Sequence, residues 1–149
     1  MKKIKISDKY IGDSESPFII AEIAQAHEGS LGIAHSYIDA VSKTGADAIK
    51  FQTHYAEEES TLDEKFRIKF SYEDKSRYDY WKRMEFDKNE WKELYDHAKD
   101  LGLIFLSSPF SNKSFEILNN IGVPAWKLGS GEFKSNSLLK KMIKSNKPI

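Results

Sequence analysis

The sequence predicts an α/β fold built on a parallel sheet, and three observations carry that expectation. Short apolar runs at residues 18–23, 48–51, 103–106 and 125–128 alternate with amphipathic helical patterns. Continuously apolar runs of this length mark strands covered by helices. The helical patterns stop at Gly45, Gly102, Gly122 and Asn146, residue types that tolerate the left-handed conformation just past a helix. Polar residues collect at the carboxyl ends of the apolar runs, the edge where parallel α/β folds place their ligands.

The elements follow in order. Ile4-Lys5-Ile6 and Tyr10-Ile11, joined across Ser7-Asp8-Lys9, read as a small hairpin suited to closing the bottom of a sheet. The run at 18–23 has no helix before it and begins the series. Leu31, Ala34, Ile38 and Val41 fall on one helical stripe, with Ser30 as its cap. Asp87 and Glu90 form a capping-box pattern ahead of Trp91, Leu94 and Ala98. Ser111 or Asn112 starts a helix carrying Phe115 and Leu118, and Ser135 or Asn136 starts one carrying Leu138, Leu139 and Ile143. Pro148-Ile149 reads as the first residues of a fifth strand.

Residues 54–86 break the short-loop rhythm. Connections that long are functional or disordered more often than idle, and Phe66, Phe70, Tyr72, Tyr78, Tyr80, Trp81 and Phe86 are too many aromatics for disorder. A short helix is expected near residues 78–84. The segment reads either as a lid over a polar substrate or as a surface flap packed on the sheet.

Composition narrows the function classes. The 149 residues carry 23 basic and 23 acidic side chains, giving no net charge, with 40% hydrophobic residues and no cysteine. Balanced charge leaves no footprint for nucleic acid. The lysine-rich stretch at 134–147 reads as a solvated helix face. Without cysteine there is neither disulfide nor thiol chemistry, which fits a reducing compartment. Met1-Lys2-Lys3-Ile4-Lys5-Ile6 lacks the apolar core of a signal peptide, and no run approaches a membrane span. A cytoplasmic protein is expected.

Chemistry concentrates at the strand ends. Trp126-Lys127-Leu128-Gly129-Ser130-Gly131-Glu132 sets a cation, a hydroxyl, exposed amides and an acid after an apolar run. Such a group suits a phosphate or carboxylate. Ala48-Ile49-Lys50-Phe51-Gln52-Thr53 repeats the arrangement. Two lysines from two strand ends imply one dianionic ligand. Glu22 ends the first run, where a carboxylate is costly to bury unless paired, and Ser107 and Ser108 end the third.

These residues carry a family resemblance. Ala21-Glu22-Ile23 with His27 and Gly29, Lys50-Phe51-Gln52-Thr53-His54, Ser107-Ser108-Pro109-Phe110-Ser111 and Pro124-Ala125-Trp126-Lys127-Leu128-Gly129-Ser130-Gly131-Glu132 resemble the sialic acid synthase family in their order along the chain. That family comprises N-acetylneuraminate, legionaminate and pseudaminate synthases. The aromatic stretch at 67–86 resembles the lid of the neuraminate and legionaminate type.

The resemblance implies a TIM-type (β/α)8 barrel that condenses phosphoenolpyruvate with an N-acetylated amino sugar such as N-acetylmannosamine, releasing phosphate with carbon–oxygen cleavage. Lys50, Ser108, Lys127 and Ser130 would hold phosphoenolpyruvate, and Gln52 and Glu132 would face the sugar. Glu22 would act near the reacting carbons, as an acid/base or by orienting water. His27 matches a family histidine and is expected to shape its loop. A barrel needs about 250 residues, so the 149-residue chain is expected to hold about four βα units, the N-terminal half. The second half and a small antifreeze-like domain would lie outside it. The family's divalent metal, manganese or magnesium, is held by two later histidines, so no metal ligand is expected among His27, His35, His54 and His97. A homodimer is implied. Two alternatives stand beside the synthase: a non-catalytic half-barrel that self-associates or binds a ligand, and a 3-deoxy sugar-phosphate synthase using the same donor.

Overall fold

The computed structural model describes residues 3–149, so Met1 and Lys2 of the N-terminal run lie outside the described residues. Two strands, β1 (Ile4–Ile6) and β2 (Lys9–Ile11), pair antiparallel, with Lys5 opposite Tyr10. Three further strands, β3 (Ile20–Ala24), β4 (Ala48–Thr53) and β5 (Ile104–Pro109), form a parallel sheet in that order.

Helices join and follow these strands, four of them sharing the main core with the sheet. They are α1 (Leu31–Ser42), the short α2 (Ala56–Glu59), α3 (Arg77–Met84), α4 (Lys88–Asp100), α5 (Asn112–Ile121) and α6 (Asn136–Lys144). A 3-10 turn, Ser130–Lys134, precedes α6. The starts follow local chemistry. Ser30 caps α1 through the Ile33 N–H, and Asp87 with Glu90 makes a reciprocal capping box on α4. Of the two candidates for α5, Ser111 is the cap, its hydroxyl accepting from the Ser114 N–H. The four expected stops, Gly45, Gly102, Gly122 and Asn146, all adopt positive φ.

Strand alternation divides the apolar residues into two layers. Ile49, Phe51 and Phe105 point to the helices and pack with Ile38, Trp91, Leu94 and Leu118 in the main core. Ala48, Leu106 and Ala125 point the other way and are joined by Ile6, Phe18 and Ile104. On that second face Lys50 is in register with Glu22 and with Leu106, and Gln52 with Ser108. The inward face is therefore apolar at its N-terminal end and polar at its carboxyl end.

One expected strand is not formed. Residues 125–128 have no strand pairing, and the backbone hydrogen bond they make among the described residues runs from the Trp126 N–H to the Pro148 carbonyl at 2.8 Å. Burial, which the apolar pattern reports, is present: Ala125 and Trp126 are buried. A ladder also needs a partner backbone in register. Trp126 is instead held by its side chain, which packs at a tilt on Phe115 at 4.7 Å and donates its indole N–H to the Ser145 hydroxyl at 2.7 Å. The count of four β units is corrected to three paired parallel strands and one irregular run. Among the described residues the outer edges of both β3 and β5 are unpaired, and Ile19 and Ile20 at the start of β3 are exposed.

Candidate functional site

At the carboxyl edge, five of the sequence-predicted residues fall into two groups, whereas among the described residues Ser108 and Ser130 make no side-chain hydrogen bond with either, Ser108 being placed only by its register with Gln52. The lower one is Glu22, Lys50 and Lys127, of which Lys50 alone is buried. Ala24, at φ 52°, bulges β3 out of its register with β4, and its N–H donates to Glu22 Oε1 at 3.1 Å. This bend turns Glu22 across the strand, so that its Oε2 accepts from Lys50 Nζ. The Lys50 side chain is only 9% exposed. Burial first, and the nearby Lys127 charge second, hold its pKa below the ordinary lysine value. Two cations this close repel each other, and an anion between them relieves the repulsion. Lys127 itself is exposed, its ammonium donating to the Leu128 carbonyl at 3.1 Å.

The upper group lines a cavity of about 470 Å3 whose walls include Gln52, His54, Glu59, Trp81, Phe110 and Glu132. The 3-10 turn brings Glu132 here, beginning at the exposed Ser130. Burial, and secondarily the Glu59 carboxylate, raise the Glu132 pKa above the usual range, so this acid holds a proton more readily than an exposed glutamate. Ser108 is buried, in register with Gln52. The neighbouring Ser107, read from sequence as another rim residue, points to the opposite face and bonds the Thr53 hydroxyl at 2.7 Å.

His54 was legible only as part of a motif, yet it sits at the centre of this group. It is buried and stacks between Trp81 and Phe110, each at 4.1 Å. Its ring nitrogens face Glu59 Oε2 at 2.6 Å and Gln52 Oε1 at 3.1 Å. Helix α2 supplies Glu59, and no sequence signal for that four-residue helix was found. Trp81 comes from α3, so the aromatic segment leans over the cavity. Arg77 lies above the outer face of Trp81 at 5.7 Å. The root of the segment is tied by Arg83, which bonds Asp74 at 2.8 Å and the Glu28 carbonyl at 3.0 Å.

His27 lies outside this group. It is fully buried among Phe51, Phe86 and Trp91, and its Nδ1 accepts from the Gly29 N–H at 3.1 Å. That is the loop-shaping placement expected of it. Burial pushes its pKa down from 6.5 to about 4. The buried ring must stay neutral while the unfolded chain takes up a proton, so stability present above pH 6.5 is lost as pH falls toward 4. The loss amounts to on the order of 3 kcal/mol. His27→Asn, which keeps an acceptor for Gly29, is expected to flatten this acid limb in urea titrations. An unchanged pH slope would show that other groups govern it.

A larger hollow of about 650 Å3 lies in the outer helical layer, lined by His35, Glu93 and His97 among others. It is shallow and far from the strand ends. Among the described residues, no group of three or more histidine, aspartate and glutamate side chains is arranged to hold a metal ion. Nor is any helix long and apolar enough to cross a membrane.

Comparison with known proteins places the chain. The NeuB family model matches residues 37–149. The N,N'-diacetyllegionaminic acid synthase of Campylobacter jejuni is 37% identical over 134 residues, covering 88% of this chain and 40% of the relative. The N-acetylneuraminate-9-phosphate synthase of Mus musculus is 31% identical over 144 residues, covering 95% of this chain and 40% of the relative. The crystal structure of N-acetylneuraminic acid synthetase from Leptospira borgpetersenii, in complex with citrate, superposes with a TM-score of 0.80 at 28% identity, covering 97% of this chain and 47% of that one. The chain thus spans about 40% of the length of the curated relatives it matches. On the family match and the parallel α/β fold together, the chain belongs to the NeuB family of sialic, legionaminic and pseudaminic acid synthases.

Proposed function

We propose that this chain is the N-terminal half of a (β/α)8 barrel in a synthase that condenses phosphoenolpyruvate with an N-acylated amino sugar. The observation that carries the reading is the pairing of a buried, Glu22-bonded Lys50 with the Lys127 charge beside the Gln52–Glu132 cavity. A compact ammonium beside hydroxyl and amide donors suits a phosphate or carboxylate. Lys50 and Lys127, with Ser108 and Ser130, would hold the donor. Gln52 and Glu132 would face sugar hydroxyls and the acyl group. Glu22, held by Lys50 and the Ala24 N–H, would stand near the reacting carbons as acid/base or water-orienting group.

In the reaction, the methylene carbon of the donor bonds to the sugar's carbonyl carbon, water adds to the adjacent carbon, and the bond between that carbon and the phosphate oxygen breaks. The divalent manganese or magnesium implied by the family resemblance finds no ligand set among the described residues, and no step here runs through it. The second half-barrel, the antifreeze-like domain, a homodimeric state and a cytoplasmic location belong to the same proposal.

The test is the full-length protein with N-acetylmannosamine and phosphoenolpyruvate labelled with heavy oxygen at its bridging position. A nonulosonic acid product with the label in the released phosphate is expected. Turnover of a phosphorylated aldose in place of any acylated amino sugar would shift the assignment to a 3-deoxy sugar-phosphate synthase. The unpaired edge of β3 favours the other alternative, a self-associating half-barrel, for the 149-residue chain alone.

A further inference from the structure

We propose that His54 is a positioning residue that decides which end of the Gln52 amide is presented to the acceptor sugar; this rests on the synthase reading given above. The argument is a count of hydrogens. Glu59 can only accept, and its Oε2 lies 2.6 Å from His54 Nδ1. Its other oxygen is already engaged by the Tyr55 N–H at 2.9 Å. Nδ1 therefore carries a hydrogen in both charge states of the ring, and only Nε2 changes.

Nε2 faces Gln52 Oε1 at 3.1 Å. When Nε2 carries a hydrogen, Gln52 Oε1 accepts from it and the NH2 group is left to face the cavity. When Nε2 is bare, it accepts, and the Gln52 amide reverses to donate to it. The cavity then meets a carbonyl oxygen instead of two N–H donors. A donor end matches an acyl carbonyl oxygen of the sugar, and an acceptor end matches a hydroxyl.

Packing leaves His54 no other way to respond. Trp81 and Phe110 clamp both faces of the ring with interplanar angles of 18° and 21°, so it neither tilts nor swings out. Phe110 is in turn backed by Gly129, where an added Cβ would lie 3.0 Å from the Phe110 ring. The charged and titratable groups facing the ring are Glu59 of α2, Glu132 of the 3-10 turn, Glu58 across the cavity, Arg77 of α3 beyond Trp81, and the buried His27.

The decisive variant is His54→Phe, which keeps the flat ring between Trp81 and Phe110 and removes both hydrogen bonds. In the full-length synthase it is expected to raise the acceptor-sugar KM roughly tenfold, as loss of one oriented polar contact does, with the KM for phosphoenolpyruvate unchanged. A role in packing alone would leave the acceptor KM at its wild-type value or move both KM values together, and either result would overturn the proposal.

A second measurement needs no turnover. In the nitrogen-labelled full-length protein, the Gln52 side-chain amide resonances are expected to move on His54→Phe. A Gln52 amide left in place by that substitution would sink the proposal whatever the substrate is. A Gln52 amide that moves, in a protein that condenses no acylated amino sugar, would support the role of His54 and sink only the functional reading.

Discussion

Gly29→Ala is expected to unseat the aromatic segment from the site. Gly29 has φ +77°, and a Cβ built there would lie 2.1 Å from the Arg83 carbonyl oxygen and 3.0 Å from its carbon. Both are backbone atoms of α3, so no side-chain rotation relieves the overlap. Either the loop after β3 refolds or α3 withdraws. In the first case the Gly29 N–H leaves His27, and in the second Arg83 leaves the Glu28 carbonyl. The left-handed backbone alone costs a non-glycine residue roughly 1–2 kcal/mol. With displacement of α3 added, a loss of on the order of 3 kcal/mol is expected. Urea midpoints measure it, and limited proteolysis between residues 60 and 75 locates it. An unchanged midpoint with an unchanged cleavage pattern would show that the loop and α3 do not depend on this contact.

How much of this was legible beforehand depended on how local each signal is. Helix ends were readable because capping is settled within four residues: Ser30, Asp87 with Glu90, and Ser111 each bond the start of their own helix. The inward polar positions were readable because strand alternation is rigid, and Lys50, Gln52 and Ser108 fall on one face. Residues 125–128 misled because apolar character reports burial, whereas a strand needs a partner backbone that the run does not encode. His54 escaped for a related reason. Its importance comes from Glu59 on the short α2, Trp81 on α3 and Phe110 after β5, which only the tertiary fold brings together. The aromatic segment was legible as ordered, since its aromatic content opposes disorder, but the stacking of Trp81 on His54 is not a sequence property.

On the proposed synthase reading, Lys127→Met in the full-length protein is expected to raise the KM for phosphoenolpyruvate roughly ten- to hundredfold, from loss of a charge-assisted contact of about 1.5–3 kcal/mol, with the acceptor KM little changed. Lys50→Met is expected to do more. Its ammonium is buried and bonded to Glu22, so its removal takes away a donor contact and also releases the half-exposed Glu22 carboxylate from the bond that orients it. That variant should therefore lower kcat as well as donor affinity, while Lys127→Met acts mainly on affinity. The two effects should not add. Lys50 and Lys127 lie close enough for their charges to interact, so each single variant still leaves one cation to hold the donor, and the activity of the double variant should fall below the product of the singles. Equal kcat values for the two single variants would remove Glu22 from the chemistry. An unchanged donor KM in Lys127→Met, with a raised acceptor KM, would exchange the roles proposed for the two groups at the carboxyl edge.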